Sequence, residues 1–531
     1  MLPPARSRFI RLLAVAAVLL LTVAGCAPLG DEEADAADGH VVTVKSGRLR
    51  GAVREGYRLF QGIPYAAPPT GGRRWRAPER PSEWEGVRDA TMPGSQCPQP
   101  GVAGSAATGR EDCLFLNVWA PDRRRGERAP VMVWLHGGAL SWGSGDAYPA
   151  RRLATQGGIV VVTINYRLGA LGYLAHPALA NGKETGNYGL MDQQAALRWV
   201  KGNIAAFGGD PAKVTVAGES AGGASVCALL NSPASRGLFR AAILQSGPCG
   251  GQEAGAARQA GTAFAASLGC FVEATAAGCL RALPASALTN PPQHGAKGVF
   301  AIPEAPAASV STLSYGTALL PGPAAGVPAV KVPVLNGTNH DELTYTLTGK
   351  VPQQDFVTGL KAHYGAKGGA IARAYPRSAH KGDAGLAYGH AVTDGDFACR
   401  ARSMNRTLSP HMPVYAYEFA DPAPVAWSGV QQFFGTKNVL AAHATELPYL
   451  FDFPGVTFTE KQQKLSDRMI AYWSSFVTTL DPNGKDRARW YAYRNPTDSF
   501  LSLRPTGSVT TNTFGTDHHC GFWQSVEPAQ R

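Results

Sequence analysis

Gly218-Glu219-Ser220-Ala221-Gly222 sets one serine between two glycines, after an apolar β-rich run and before a small-residue helical stretch. The spacing fits G-x-S-x-G at a strand-to-helix turn, where the serine takes a strained backbone conformation. Residues two before and two after it must then lack side chains, as Gly218 and Gly222 do. The helix that follows turns its positive end towards the charge that builds on an attacked carbonyl oxygen. The chemistry so prepared is nucleophilic acyl transfer. An ordinary strand-to-helix loop also holds serine and glycine, so the reading depends on partners.

Three partners are needed, and each has a place downstream of an apolar run. Leu135-His136-Gly137-Gly138-Ala139 follows the run 131–135. The backbone N–H groups of Gly138 and Ala139, with that of Ala221, are the expected oxyanion donors. The run 332–335 leads into Asn336-Gly337-Thr338-Asn339-His340-Asp341-Glu342, which offers two carboxylates to orient an imidazole. Spacing alone leaves both Asp341 and Glu342 open. The base must follow in the order serine, acid, histidine. Of His363, His380, His390, His411, His443, His518 and His519, only His443 lies in a loop between the last strong strand and a new apolar segment. The other six read as structural or surface histidines. With a base near the ordinary imidazole value of ~6.5, activity should rise as the pH passes that value.

Elements able to position these groups recur along the chain. The runs 131–135, 159–164, 214–217, 241–244, 332–335 and 414–419 are continuously apolar, as strands covered on both faces are. Between the second and third, residues 190–207 carry Leu197, Val200, Ile204 and Phe207 at helical spacing, and Gly208-Gly209-Asp210-Pro211 stops them. Alternating strands and helices imply an α/β fold with a doubly wound, mostly parallel sheet. In such sheets chemistry gathers at the carboxyl ends of the strands, where every group above falls.

Bulk properties bound the rest. The chain has 531 residues, 44% hydrophobic and 17% charged, enough for a large core, with no internal repeat or linker that divides it. Arg6, Arg8 and Arg11 precede an apolar run over 12–23 and then Val23-Ala24-Gly25-Cys26. This is the order of a secretory signal peptide, read over 1–25, and its end resembles a lipobox with Cys26 as the lipidated residue. Residues 26–39 then read as an acidic tether and 40–531 as one domain. Cleavage removes three arginines and no acid, taking the formal charge from +11 to +8. The positive charges are scattered, with Arg123-Arg124-Arg125 as the one short run, so no nucleic-acid partner is expected. Nine cysteines, eight without Cys26, suit an oxidising compartment. The expected location is the extracytoplasmic membrane face, or the medium if Cys26 carries no lipid.

These motifs together resemble the type B carboxylesterase/lipase family, of α/β-hydrolase fold. FQGIPYAAPPTGGRRWRAP over 60–78 and EDCLFLNVWAP over 111–121 resemble its early signatures. GESAGGASV, GTNHDE and HATELPYLF match its nucleophile, acid and histidine segments, and HHCGFW over 518–523 resembles its closing motif. The resemblance implies a triad of Ser220, Glu342 and His443, an oxyanion hole of Gly138, Ala139 and Ala221, and no cofactor or metal. It implies the disulfides Cys97–Cys113, Cys270–Cys279 and Cys399–Cys520, and leaves Cys227 and Cys249 able to form a fourth. Leu140 stands where relatives more often carry an aromatic, which bears on selectivity. The loop between Cys97 and Cys113 holds no aromatic residue, against choline selectivity.

The function so implied is a serine carboxylic-ester hydrolase acting through an acyl-enzyme on small to medium esters. The alternatives are a lipase or sterol-ester hydrolase, favoured by a membrane anchor, and a non-catalytic adhesion or binding module, disfavoured by the intact triad. The loop 293–320 is the segment expected to line the pocket.

Overall fold

The apolar runs become the middle of one eleven-stranded sheet. The structure is a computed structural model that describes residues 41–526 apart from 102–105, 123, 125, 181–184, 290–309, 324–325, 345–350, 426 and 429–439. The signal peptide 1–25, Cys26, the tether 26–39, and part of the loop 293–320 lie outside the described residues, as do Arg123 and Arg125.

The sheet strands are β1 (Ala52–Arg54), β2 (Tyr57–Pro64), β3 (Phe115–Pro121), β4 (Ala129–Leu135), β5 (Val160–Ile164), β6 (Gly209–Glu219), β7 (Ala241–Gln245), β8 (Val334–Asn339), β9 (Val414–Phe419), β10 (Phe500–Leu503) and β11 (Val509–Thr511). Their order is β11-β10-β9-β8-β7-β6-β4-β5-β3-β2-β1. Pairing is parallel from β10 through to β5 and antiparallel at both margins. This is the mostly parallel α/β-hydrolase sheet that the resemblance implies.

Both faces of the parallel block are covered, which is why its strands read as unbroken apolar runs. In β4, Val131, Val133 and Leu135 enter one core, while Met132 and Trp134 enter the other. The first core is closed by helix α1 (Tyr188–Asn203), through Leu190, Leu197 and Val200, and by α2 (Ala221–Asn231). The second is closed by α3 (Glu460–Thr479), through Leu465, Met469, Trp473 and Phe476. Each such side chain contributes roughly 1.5–3 kcal/mol on burial.

Of the boundaries that differ from the sequence reading, two have a plain local cause. The helix expected over 190–207 ends at Asn203, and Ile204–Phe207 tighten into a 3-10 turn capped by Gly208 at φ +82°. The strand expected over 332–335 begins after Pro333, which has no N–H to give a ladder, and runs on through Asn339. The acid loop therefore starts at His340.

The order in which strands are added reverses between β4 and β6: β5 lies on one side of that parallel pair, and β7 to β10 follow outward on the other. A crevice opens at such a switch point. Four disulfides pin the surrounding loops: Cys97–Cys113, Cys227–Cys249, Cys270–Cys279 and Cys399–Cys520. Among the described residues no helix is long and apolar enough to cross a membrane.

Candidate active site

At the end of β6 the backbone turns sharply at Ser220, with φ +54° and ψ −122°. A non-glycine residue held there costs roughly 1–3 kcal/mol, so the surroundings must enforce the turn. They do so by close backbone approach. A methyl group on Gly222 would come within 2.0 Å of the Leu135 carbonyl oxygen, and one on Gly218 within 2.5 Å of Gly222. The Ser220 N–H donates to the Gln245 carbonyl at 2.9 Å, tying the elbow to β7. Helix α2 starts at Ala221 and aims its first amides into the crevice.

The loop after β4 supplies the facing wall. Gly138, Ala139 and Leu140 have φ of +106°, +51° and +57°, which turns the chain back on itself. Among the described residues the amides of Gly138, Ala139 and Ala221 have no acceptor, as donors kept for a ligand should. The Cys97–Cys113 loop steadies this wall, because Gln99 Oε1 accepts from the Gly143 N–H at 2.9 Å. Buried His136 stacks on Tyr166, and its Nδ1 donates to the Gly137 carbonyl. Burial pushes its pKa down to about 4, so the ring stays neutral.

The acid loop after β8 separates the two carboxylates that spacing could not. Glu342 is fully buried, accepts from the Asn339 N–H through Oε1 at 2.8 Å, and meets Nδ1 of His443 through Oε2 at 2.6 Å. Asp341 turns away, towards Nδ1 of His340 at 3.1 Å. The His443 N–H also donates to the Glu342 carbonyl, so main chain and side chain of one residue hold the imidazole.

Nε2 of His443 points back to the elbow, where it lies 3.2 Å from Oε1 of Glu219. Ser220 Oγ itself has no hydrogen-bond partner among the described residues, and in resting sites such bonds are often formed only with substrate. Burial opposes a charged His443, but Glu219 and Glu342 outweigh it and push its pKa up to about 9. Burial likewise pushes the Glu219 carboxyl up to about 8, so carboxyl and imidazole compete for protons well above the ordinary carboxylate range. The sequence reading takes a base near the free-imidazole value; the flanking carboxylates shift His443 upward from it. A third carboxylate, Glu446, sits behind, receiving Asn339 Nδ2 at 2.7 Å and Gln245 Nε2 at 3.1 Å.

Glu219 is the residue the sequence reading passed over. It occupies the unspecified position of G-x-S-x-G, yet it is buried, ionisable and against the imidazole. A carboxylate inside an otherwise small and apolar elbow was the available signal. Phe397, whose ring lies 5.2 Å from that of His443, was likewise unmarked.

A nucleophile elbow at the switch point of a mostly parallel sheet defines an α/β-hydrolase. A family model described as the carboxylesterase family matches residues 38–523, and the chain belongs to that family. It is 36% identical over 490 residues to the para-nitrobenzyl esterase of Bacillus subtilis (strain 168), across 87% of this chain and 94% of that relative. It is 31% identical over 568 residues to a cocaine esterase of Homo sapiens, across 98% and 96%. The solved structure of a PNB esterase superposes with a TM-score of 0.78 at 32% identity, covering 92% of this chain and 100% of that one. The chain is a serine carboxylic-ester hydrolase.

Proposed function

We propose that Ser220, Glu342 and His443 act as a catalytic triad on small to medium esters, with Gly138, Ala139 and Ala221 as the oxyanion donors. The observation that carries this reading is the position of His443, with Nδ1 on Glu342 at 2.6 Å and Nε2 turned to the elbow that bears Ser220. Nε2 takes the Ser220 proton as Oγ attacks the ester carbonyl. The oxyanion is received by the three amides, each worth on the order of 10²–10³ in rate. His443 then protonates the leaving alcohol. Water, deprotonated by the same nitrogen, releases the acid. No step requires a cofactor.

Relatives are named for para-nitrobenzyl esters, cocaine and acylcarnitine, chemically different compounds, which supports selection by pocket shape over one common reaction. Export over 1–25 and anchoring through Cys26 complete the proposal, with 40–531 as the catalytic domain. Ser220→Ala should abolish hydrolysis of short p-nitrophenyl esters with an unchanged melting transition; retained hydrolysis refutes the triad. Radiolabelled fatty acid should enter the wild-type chain in cells and not Cys26→Ser, and equal labelling refutes the anchor.

A further inference from the structure

Behind the acid loop, three residues far apart in sequence bring metal-binding atoms together. Donor atoms of His340, Glu418 and His518 all lie within 4.8 Å of one another. His340 opens the loop after β8, Glu418 lies near the end of β9, and His518 precedes the C-terminal helix Cys520–Val526. From this convergence we propose a divalent transition-metal site of the zinc type, with His340, Glu418 and His518 as its protein ligands.

The donor set and its support both fit. Two imidazoles and a carboxylate are a common zinc set that leaves a fourth position for water. His518 has its other nitrogen held by a carboxylate, with Asp394 Oδ1 2.7 Å from Nδ1, and Asp341 Oδ1 lies 3.1 Å from Nδ1 of His340, which leaves Nε2 of His340 as the nitrogen for an ion. Such carboxylate–histidine pairs orient a ring so that Nε2 faces the metal. The support extends outward, since the Tyr375 hydroxyl donates to Asp394 at 2.6 Å and Trp523 Nε1 donates to that hydroxyl at 2.7 Å. The Cys399–Cys520 disulfide joins the segments that carry Asp394 and His518.

Access and spacing also suit an ion. Glu418 and His518 are buried, while the His340 side chain is 45% exposed and gives a path from solvent. Nε2 of His518 lies 2.9 Å from Glu418 Oε1 and all three donor atoms lie within 4.8 Å of one another, a span that brackets the roughly 3.3 Å between ligands around tetrahedral zinc. The ion would displace the proton shared there. The competing arrangement is a metal-free ion triad of His518 with Asp394 and Glu418. It has no use for His340, which makes that residue the discriminating one.

The test uses the untagged full chain, stripped with chelator and dialysed. Zn2+ alone is titrated by calorimetry, and Co2+ alone by visible absorption. Wild type should bind one ion per chain, with the intense visible bands of low-coordinate cobalt. His340→Ala, at an exposed position, should melt as wild type without metal yet bind at least about tenfold more weakly, and Asp341→Asn should lose about 10–100-fold. Ser220→Ala should bind as wild type, separating this site from the triad. Absence of stoichiometric binding to wild type, or unweakened binding to His340→Ala, overturns the proposal.

Discussion

Nε2 of His443 lies 3.2 Å from Oε1 of Glu219, the residue that directly precedes Ser220. His443, the proposed base, is therefore flanked by carboxyl groups on both ring nitrogens, and each, when ionised, favours its charged form. A histidine whose pKa is raised is protonated, and idle as a base, until the pH passes that value. The acid limb of kcat/KM should accordingly lie well above the free-imidazole value of ~6.5, towards the 9 to which His443 is pushed. Glu219→Gln removes one stabilising carboxylate and should move that limb to lower pH. A pH–rate profile of the variant that coincides with wild type refutes the coupling.

Glu342→Gln tests the opposite nitrogen. The new amide could still accept from Asn339 N–H, but its NH2 would face Nδ1 and force the tautomer that carries its proton on Nε2. Such a ring cannot take the serine proton, and kcat should fall on the order of 10⁴ with a native melting curve. Asp341→Asn, whose carboxylate turns to His340, should leave kcat close to wild type. Stopped-assay kinetics on both variants decide which carboxylate serves the base.

Gly222→Ala places a methyl group 2.0 Å from the Leu135 carbonyl oxygen, between β4 and the elbow. Backbone on both sides leaves no room to yield, so a loss above about 3 kcal/mol in urea unfolding is expected. Gly72→Ala, with nothing within 4 Å of the added carbon, should stay within about 0.5 kcal/mol and serves as the control.

The Cys399–Cys520 disulfide closes the longest loop, at a separation of 121 residues. Opening so long a loop should cost roughly 4–5 kcal/mol, mainly through the freedom returned to the unfolded chain. Cys399→Ala/Cys520→Ala should thus melt well below wild type, as scanning calorimetry would register. A double variant that melts as wild type denies the bond any stabilising part.

Local demands were legible in the sequence, and assembled ones were not. Gly218 and Gly222 announce the elbow because only glycine tolerates the approach of Leu135 and of the elbow's own backbone. Continuous apolar runs announce β4 to β9 because both faces are covered. The choice between Asp341 and Glu342 was not legible from spacing, since the two share a loop and differ only in which way the turn after Asn339 aims them. Glu219 looked like filler because its role depends on His443, over two hundred positions later. The His340, Glu418 and His518 group escaped for the same reason: β8, β9 and the C-terminal helix meet only in the folded chain.

The central claim is that Ser220 is an activated nucleophile served by His443. Incubation with a fluorophosphonate, followed by intact mass and peptide mapping, tests it directly. One adduct per chain on Ser220, with labelling slowed severely in His443→Ala and absent in Ser220→Ala, is the predicted result. An unlabelled wild-type chain, or an adduct that persists in Ser220→Ala, contradicts it.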